Sequence, residues 1–199
     1  MDRQLEFLWL VMDRLEGAGI PCMLTGSLAQ AVYATPRMTR DIDIVIEVER
    51  SDVPRLVDLF AADCIIDAAA VREAVTRRGM VNIIHSQWVV KADLIVRKDS
   101  SYRRLELSRR RRMDVGGTGI AVVSPEDLIL SKLVWAEGSR SELQRRDVAD
   151  LIESVDDLDW EYLRTWAADL GVGDALRELA GPRGTGGATS GPNVGMNGG

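Results

Sequence analysis

Residues 41–48 read Asp-Ile-Asp-Ile-Val-Ile-Glu-Val. Side chains alternate across a strand, so Ile42 and Ile44 go to one face while Asp41 and Asp43 share the other. The aliphatic side anchors such a strand in a core. The carboxylates repel each other, and carboxylates are among the last groups to be buried unpaired. Two readings follow. Either the strand end is solvated and the pair is decorative, or a cation sits between the two acids. Mg²⁺ prefers oxygen ligands and commonly takes one or two carboxylates, waters and substrate phosphates.

Two features elsewhere bear on that choice. Gly26-Ser27 lies between the short apolar run Ile20–Thr25 and the small-residue stretch "LAQAVYA" that ends near Pro36. A glycine between strand and helix lets a phosphate approach the backbone, and the helix start offers free N–H groups. Ser27 adds a hydroxyl donor. A plain helix start would look the same. The second feature is Asp93, a single acid in the β-rich run "VVKADLIV". On a strand next to 42–48 it could join Asp41 and Asp43 as a third metal ligand and accept a proton from an attacking hydroxyl. Alone, it would be an edge-strand charge.

The rest of the chain supplies an α/β frame. Leu5, Leu8, Trp9, Met12 and Leu15 fall at helical spacing, and Gly17 and Gly19 stop that helix. Ser51 or Asp52 caps a helix carrying Leu56, Val57 and Phe60, and 68–78 is helical. "MVNIIHS" and "WVVKADLIVRK" form an antiparallel hairpin. "GGTG" at 116–119 falls between two strands and reads as a turn. Ser124-Pro125-Glu126-Asp127 is a helix start, with a cap, a proline at the first position and acids in the first turn. Helical spacing then persists through "SELQRRDVADLIES" and two shorter helices to Leu179. The expected organisation is a small mixed sheet flanked by helices over 1–123, a C-terminal helical portion over 124–180, and a disordered Gly-, Ser- and Pro-rich tail over 181–199. The five tryptophans are assigned to packing.

The formal net charge of −6 excludes a molecule that binds nucleic acid through its overall field. A local basic run, Arg103, Arg104 and Arg109–Arg112, could track phosphates of RNA or an NTP, or could partner the acidic remainder of the chain. If Leu105–Val115 is a strand, alternate arginines face opposite sides. Cys22 and Cys64 read as buried thiols, and the lone His85 makes no zinc site with them at any usual spacing. The first residues carry acids and lack the apolar segment of a signal peptide, and no run approaches a membrane span, so a cytoplasmic location is expected.

Gly26-Ser27, Asp41-x-Asp43 and Asp93 occur in the order shown by the nucleotidyltransferase superfamily, which includes DNA polymerase beta and the aminoglycoside nucleotidyltransferases. Residues 20–155 resemble that superfamily. Lys132 in "LILSKLVWAEG", followed by Arg145, Arg146, Asp147 and Asp150 in "QRRDVADL", is similar to its AbiE-type (type IV) toxin branch. Arg146 stands where that branch often has lysine. The resemblance implies a minimal nucleotidyltransferase α/β core and transfer of NMP from an NTP to an acceptor hydroxyl. It implies Mg²⁺ on Asp41, Asp43 and Asp93, with Asp93 also helping to deprotonate the acceptor. Gly26 and Ser27 would hold the β- and γ-phosphates, Lys132 and Arg146 would contact nucleotide, and Asp147 would orient nucleotide or acceptor. A tRNA end, a protein or a small molecule would be the acceptor, and a cognate antitoxin the partner. A non-catalytic nucleotide- or partner-binding module is the alternative from another class. On the residues alone, Lys132 reads equally as an exposed helix position, and Asp147 and Asp150 as partners of arginines on their own helix.

Overall fold

A computed structural model describes residues 2–185; the expected disordered tail falls, from residue 186 onward, outside the described residues. Helix α1 (Arg3–Gly17) is capped by the Asp2 side chain, which accepts from Gln4 N–H, and buries Phe7, Leu8, Val11, Met12 and Leu15. Strand β1 (Cys22–Thr25) runs directly into α2 (Gly26–Tyr33), and β2 (Ile42–Ile46) follows after a loop. Then come α3 (Val53–Phe60), β3 (Cys64–Ile65), α4 (Ala68–Arg77), β4 (Met80–His85) and β5 (Lys91–Val96). Helix α5 (Ser101–Ser108) leads to the hairpin β6 (Arg111–Val115) and β7 (Thr118–Val122). Helices α6 (Pro125–Ser139), α7 (Glu142–Ser154), α8 (Trp160–Asp169) and α9 (Gly173–Ala180) follow, and Gly181–Thr185, the start of the expected tail, form a short 3-10 helix that ends the described residues.

The strands form one mixed seven-stranded sheet, ordered β3-β4-β5-β2-β1-β7-β6. Strands β2 and β5 are parallel neighbours, as are β1 and β7, while the other pairs are antiparallel. The period-two pattern of β2 holds throughout the centre of the sheet. Ile42, Ile44, Ile46, Ala92, Leu94, Val96, Val81 and Ile83 are buried together. Burying each of the valine, leucine and isoleucine side chains contributes about 1.5–3 kcal/mol relative to leaving it in water. The opposite face carries Asp43 and Val45 of β2, Lys91, Asp93 and Ile95 of β5, and Met80, Asn82 and Ile84 of β4. Much of that face stays open: Met80 and Ile65 are exposed, and Val45, Ile84 and Ile95 are only half-buried.

Helix α2 packs on β1, β2, α6 and α7, and so joins the sheet to the C-terminal helices. The start of α6 forms as its sequence implies. Ser124 Oγ accepts from Asp127 N–H and donates to its carboxylate, with Pro125 at the first position. Gly116 and Gly117 both adopt positive φ in the two-residue β6–β7 turn, a conformation that favours glycine.

Three expectations are corrected. Residues 105–115 do not form one strand. Ser100 accepts from Arg103 N–H and starts α5, which buries Tyr102, Glu106 and Leu107, and only Arg111–Val115 are extended. Neither Ser51 nor Asp52 caps α3 through its side chain: Asp52 accepts from Glu49 N–H in a 3-10 turn (Arg50–Asp52) that runs straight into the helix. Trp135 is not a packing residue: it is 66% exposed on α6. The other four tryptophans do pack against the core. Both cysteines are free and buried, and burial pushes the Cys22 thiol up to about 12.

Candidate active site

Asp43 and Asp93 lie directly opposite one another in the β2–β5 register, on the open face of the sheet. Thr25, the last residue of β1, pairs with Asp43 from the other side, which delivers Gly26 to the same place. Gly26 has φ +68, and a Cβ built there would sit 2.1 Å from Asp43 Oδ2. Glycine is therefore required twice, for its conformation and for the space taken by the carboxylate.

The three aspartates have different surroundings. Asp93 is buried; Asn82 Nδ2 donates to its Oδ1 and Lys91 Nζ lies 3.1 Å from its Oδ2. Asp41, just before β2, is exposed, and its Oδ1 is 3.2 Å from the same Lys91 Nζ. The Asp43 carboxylate accepts no hydrogen bond and forms no ion pair among the described residues. Its pKa is pushed up to about 6, chiefly by burial and then by the charges of Asp93 and Asp41.

A second group stands where α2, α6 and α7 meet. Lys132 of α6 and Asp147 of α7 are both buried, with Nζ 2.7 Å from Asp147 Oδ2. Gln144 Oε1 accepts from the same ammonium at 3.2 Å. Burial pushes the Lys132 pKa down, against the pull of Asp147. Arg37, in the loop between α2 and β2, donates to both oxygens of Asp147 at 3.1 and 3.2 Å and also to Ser27 Oγ. A continuous chain thus runs from Lys132 through Asp147 and Arg37 to Ser27. Lys132 is not an exposed helix position, and Asp147 pairs with other elements instead of its own helix. Asp150 accepts from Gln30 of α2 at 3.2 Å. Arg146 is exposed and stands outside this chain, with no hydrogen bond or ion pair among the described residues.

Arg37, Lys91 and Asn82 were not singled out from the sequence. For Lys91 a signal existed: it lies two residues before Asp93 on a strand, hence on the same face. Arg37 and Asn82 carried none, because their partners lie on other elements: Asp147 and Ser27 are 110 and 10 residues from Arg37, and Asp93 is 11 from Asn82.

The basic run is spent on internal partners. Arg103 pairs with Glu106, Arg104 with Asp99, Arg109 with Glu126 and Asp127, Arg111 with Glu126, and Arg112 with Glu16. Arg110 donates to the Leu107 carbonyl. A cavity of about 560 Å³ lined by Arg110, Arg111 and Arg112 opens beside Cys22, the first residue of β1, whereas the aspartates cluster past its last.

The carboxylates fit a divalent cation in donor type and in excess negative charge, and the Gly26 backbone leaves the approach to Asp43 free. Among the described residues, however, no set of three His, Cys, Asp or Glu side chains is gathered into a finished metal cage. Lys91 stands between two of the three.

No protein-family model and no curated protein matches the chain. Solved structures do. An antigenic nucleotidyltransferase-like protein from Paracoccidioides brasiliensis aligns with a TM-score of 0.56 at 18% identity, over 88% of this chain and 90% of that one. ANT(2″)-Ia in complex with adenylyl-2″-tobramycin aligns at 0.55 and 12% identity, over 85% and 98%. The lincosamide antibiotic adenylyltransferase LnuA, lincomycin-bound, aligns at 0.50 and 12% identity, over 78% and 98%. The chain has the nucleotidyltransferase fold. Among the described residues no helix is long and apolar enough to cross a membrane.

Proposed function

We propose that this chain is a Mg²⁺-dependent nucleotidyltransferase that moves NMP from an NTP to an acceptor hydroxyl. The observation that carries the reading is the register pairing of Asp43 with Asp93 on an open sheet face, against a glycine with no room for a Cβ. Asp41, Asp43 and Asp93 would hold the metal, which when bound neutralises charge on the phosphate oxygens. Gly26 and Ser27 receive the β- and γ-phosphates at the start of α2, where the first N–H groups lack a side-chain cap. The acceptor oxygen bonds to the α-phosphorus, the bond to pyrophosphate breaks, and Asp93 takes the hydroxyl proton. Lys132 supplies a point charge toward the phosphates, and Asp147 sets its position. Arg146, exposed on α7, would contact the outer side of the nucleotide.

The internal pairing of the basic run disfavours an RNA acceptor tracked along Arg103–Arg112, and favours a small molecule or a protein hydroxyl. ANT(2″)-Ia, in complex with adenylyl-2″-tobramycin, and the lincomycin-bound adenylyltransferase LnuA share the fold. The Lys132–Asp147 pair supports the AbiE-type branch, and with it a toxin held in check by an antitoxin. In that reading residues 1–123 form the catalytic core and 124–180 the helical portion that supplies Lys132 and Asp147.

The test is incubation of the purified chain with each α-³²P-labelled NTP, total RNA and cell extract. Label should enter an acceptor, and Asp43→Asn should lower transfer about a thousandfold, the loss of roughly 4 kcal/mol of transition-state stabilisation. Equal labelling by parent and variant would remove the metal assignment. Growth arrest on expression, relieved by a neighbouring gene, would select the toxin branch over the antibiotic-modifying one.

A further inference from the structure

Only three of the chain's 25 basic residues are lysines: Lys91, Lys98 and Lys132. Arginine serves nearly everywhere else, and two of the three lysines stand among the candidate site's aspartates. Lys91 precedes Asp93 by two residues, so both side chains leave the same face of β5. Across the sheet, Ile42 pairs with Ala92, which puts Asp41 level with Lys91. The ammonium sits 3.2 Å from Asp41 Oδ1 and 3.1 Å from Asp93 Oδ2. It takes the place between two carboxylates that a bridging cation would take. Asn82 holds the other oxygen of Asp93, and fixes that carboxylate facing Lys91.

We propose that Lys91 is a resident counter-ion of the aspartate cluster, and that a divalent cation binds Asp41 and Asp93 only by displacing it. The inference rests on the metal site proposed above. An ammonium and a divalent ion cannot share one bridge, because both are positive and both need the same oxygens. The exchange is open to lysine in particular. Its ammonium is a compact point charge on a flexible four-carbon stem, whereas arginine would fork onto a carboxylate through two bonds. The Lys91 side chain is 39% exposed, so it has a path away from the cluster into solvent. Lys91 therefore weakens metal binding in the nucleotide-free protein and keeps Asp41 and Asp93 from repelling each other until metal arrives.

The experiment uses the full chain without nucleotide. Mn²⁺ binding is read by the loss of its free-ion electron paramagnetic resonance signal, for the parent, Lys91→Met, Lys91→Arg and Asp43→Asn. In parallel, the amine-labelling rate of Lys91 is measured by mass spectrometry against Lys98, with and without Mn²⁺. Lys91→Met should bind Mn²⁺ at least about tenfold more tightly than the parent, equivalent to about 1.4 kcal/mol, and Lys91→Arg no more tightly than the parent. In the parent, labelling of Lys91 should rise on adding Mn²⁺ while that of Lys98 stays level; this arm needs no variant to fold. A Lys91→Met protein that binds Mn²⁺ no better than the parent, or Lys91 labelling unmoved while Mn²⁺ is bound, overturns the exchange and leaves the metal site standing. Absence of Mn²⁺ binding in parent, Lys91→Met and Asp43→Asn alike overturns both.

Discussion

The start of α6 and the open face of the sheet each gather three carboxylates, and they neutralise them differently. Around α6, Glu106, Glu126 and Asp127 are almost fully buried and meet three arginines. Asp127 accepts from Arg109, Ser124 and Tyr162. Glu126 accepts from Arg109, Arg111 and Asp159 N–H, and Glu106 from Arg103 and Ser131. The Arg109 guanidinium also lies 3.8 Å over the Tyr162 ring. On the sheet, Asp41, Asp43 and Asp93 share one lysine and one asparagine, and Asp43 has neither. A cluster with every carboxylate partnered holds the fold together. One with a deficit of positive charge is a place for something to bind.

Breaking the first cluster should have the largest effect on stability. Asp127→Ala leaves Arg109 with only the longer contact to Glu126, at 3.4 Å, and leaves the Tyr162 and Ser124 hydroxyls without an acceptor. Removing one partner of a buried ion pair destabilises by about 3–5 kcal/mol, and thermal or urea unfolding should show a loss of that order. A loss under about 1 kcal/mol would mean that the cluster is as loosely held as the aspartates on the sheet.

The next effect belongs to the open face. Gly26→Ala places a methyl against Asp43 and forces a non-glycine residue to φ +68. The conformation alone costs about 1–2 kcal/mol, and the clash adds to it. The clash disappears when Asp43 is also truncated, so Gly26→Ala should be less costly in an Asp43→Ala background than in the parent. Denaturant titration of the four proteins measures that coupling. Additive losses would place Gly26 and Asp43 out of contact.

These two clusters also mark what was legible in the sequence. The open face could be read because its acids repeat at a period of two and are bracketed by aliphatic residues, so the strand and its wet side follow from local pattern. The Gly26-Ser27 turn was legible for the same reason. The α6 cluster was not. Arg109 and Arg111 find their acids 15–18 residues on, and Arg103 meets Ser131 from 28 away. As a string, "SYRRLELSRRRR" shows only a surplus of positive charge; the fold supplies its partners. Helix α5 was hidden by the same surplus, since a buried Glu106 breaks the apolar stripe by which a helix is recognised.

Asp43→Asn should sharpen the contrast with the opposite sign. A carboxyl whose folded pKa lies above its unfolded value contributes stability when protonated. That contribution is complete below 3.8 and is lost as pH rises through about 6. Asparagine keeps the neutral form at every pH. In metal-free buffer the variant should therefore be more stable than the parent at pH 7, by about 1–2 kcal/mol once solvent screening on the open face is allowed for. The difference should vanish below pH 3.8. Asp127→Asn, in a cluster where the charge is matched, should lose stability at pH 7. Unfolding of both variants across pH 3–8 makes the comparison, and a destabilised Asp43→Asn at pH 7 would show that its carboxylate is partnered after all.

The smallest effect tests whether the arginine run behaves as one unit. Arg112 stands one residue from Arg111, yet its side chain is 64% exposed and reaches Glu16 at 2.8 Å on the surface of α1. Alternation along β6 explains the split: Arg111 and Arg112 leave opposite faces, and only the first meets buried Glu126. An exposed pair of this kind contributes about 0–1 kcal/mol, and salt screens it. Arg112→Ala should change stability by no more than about 0.5 kcal/mol, and that small difference should shrink further in 1 M NaCl. Arg109→Ala should cost several-fold more and depend little on salt, because its partners are withdrawn from water. Equal losses from the two would mean that the run acts through total charge. Unequal losses assign each arginine its role by the burial of the acid it meets.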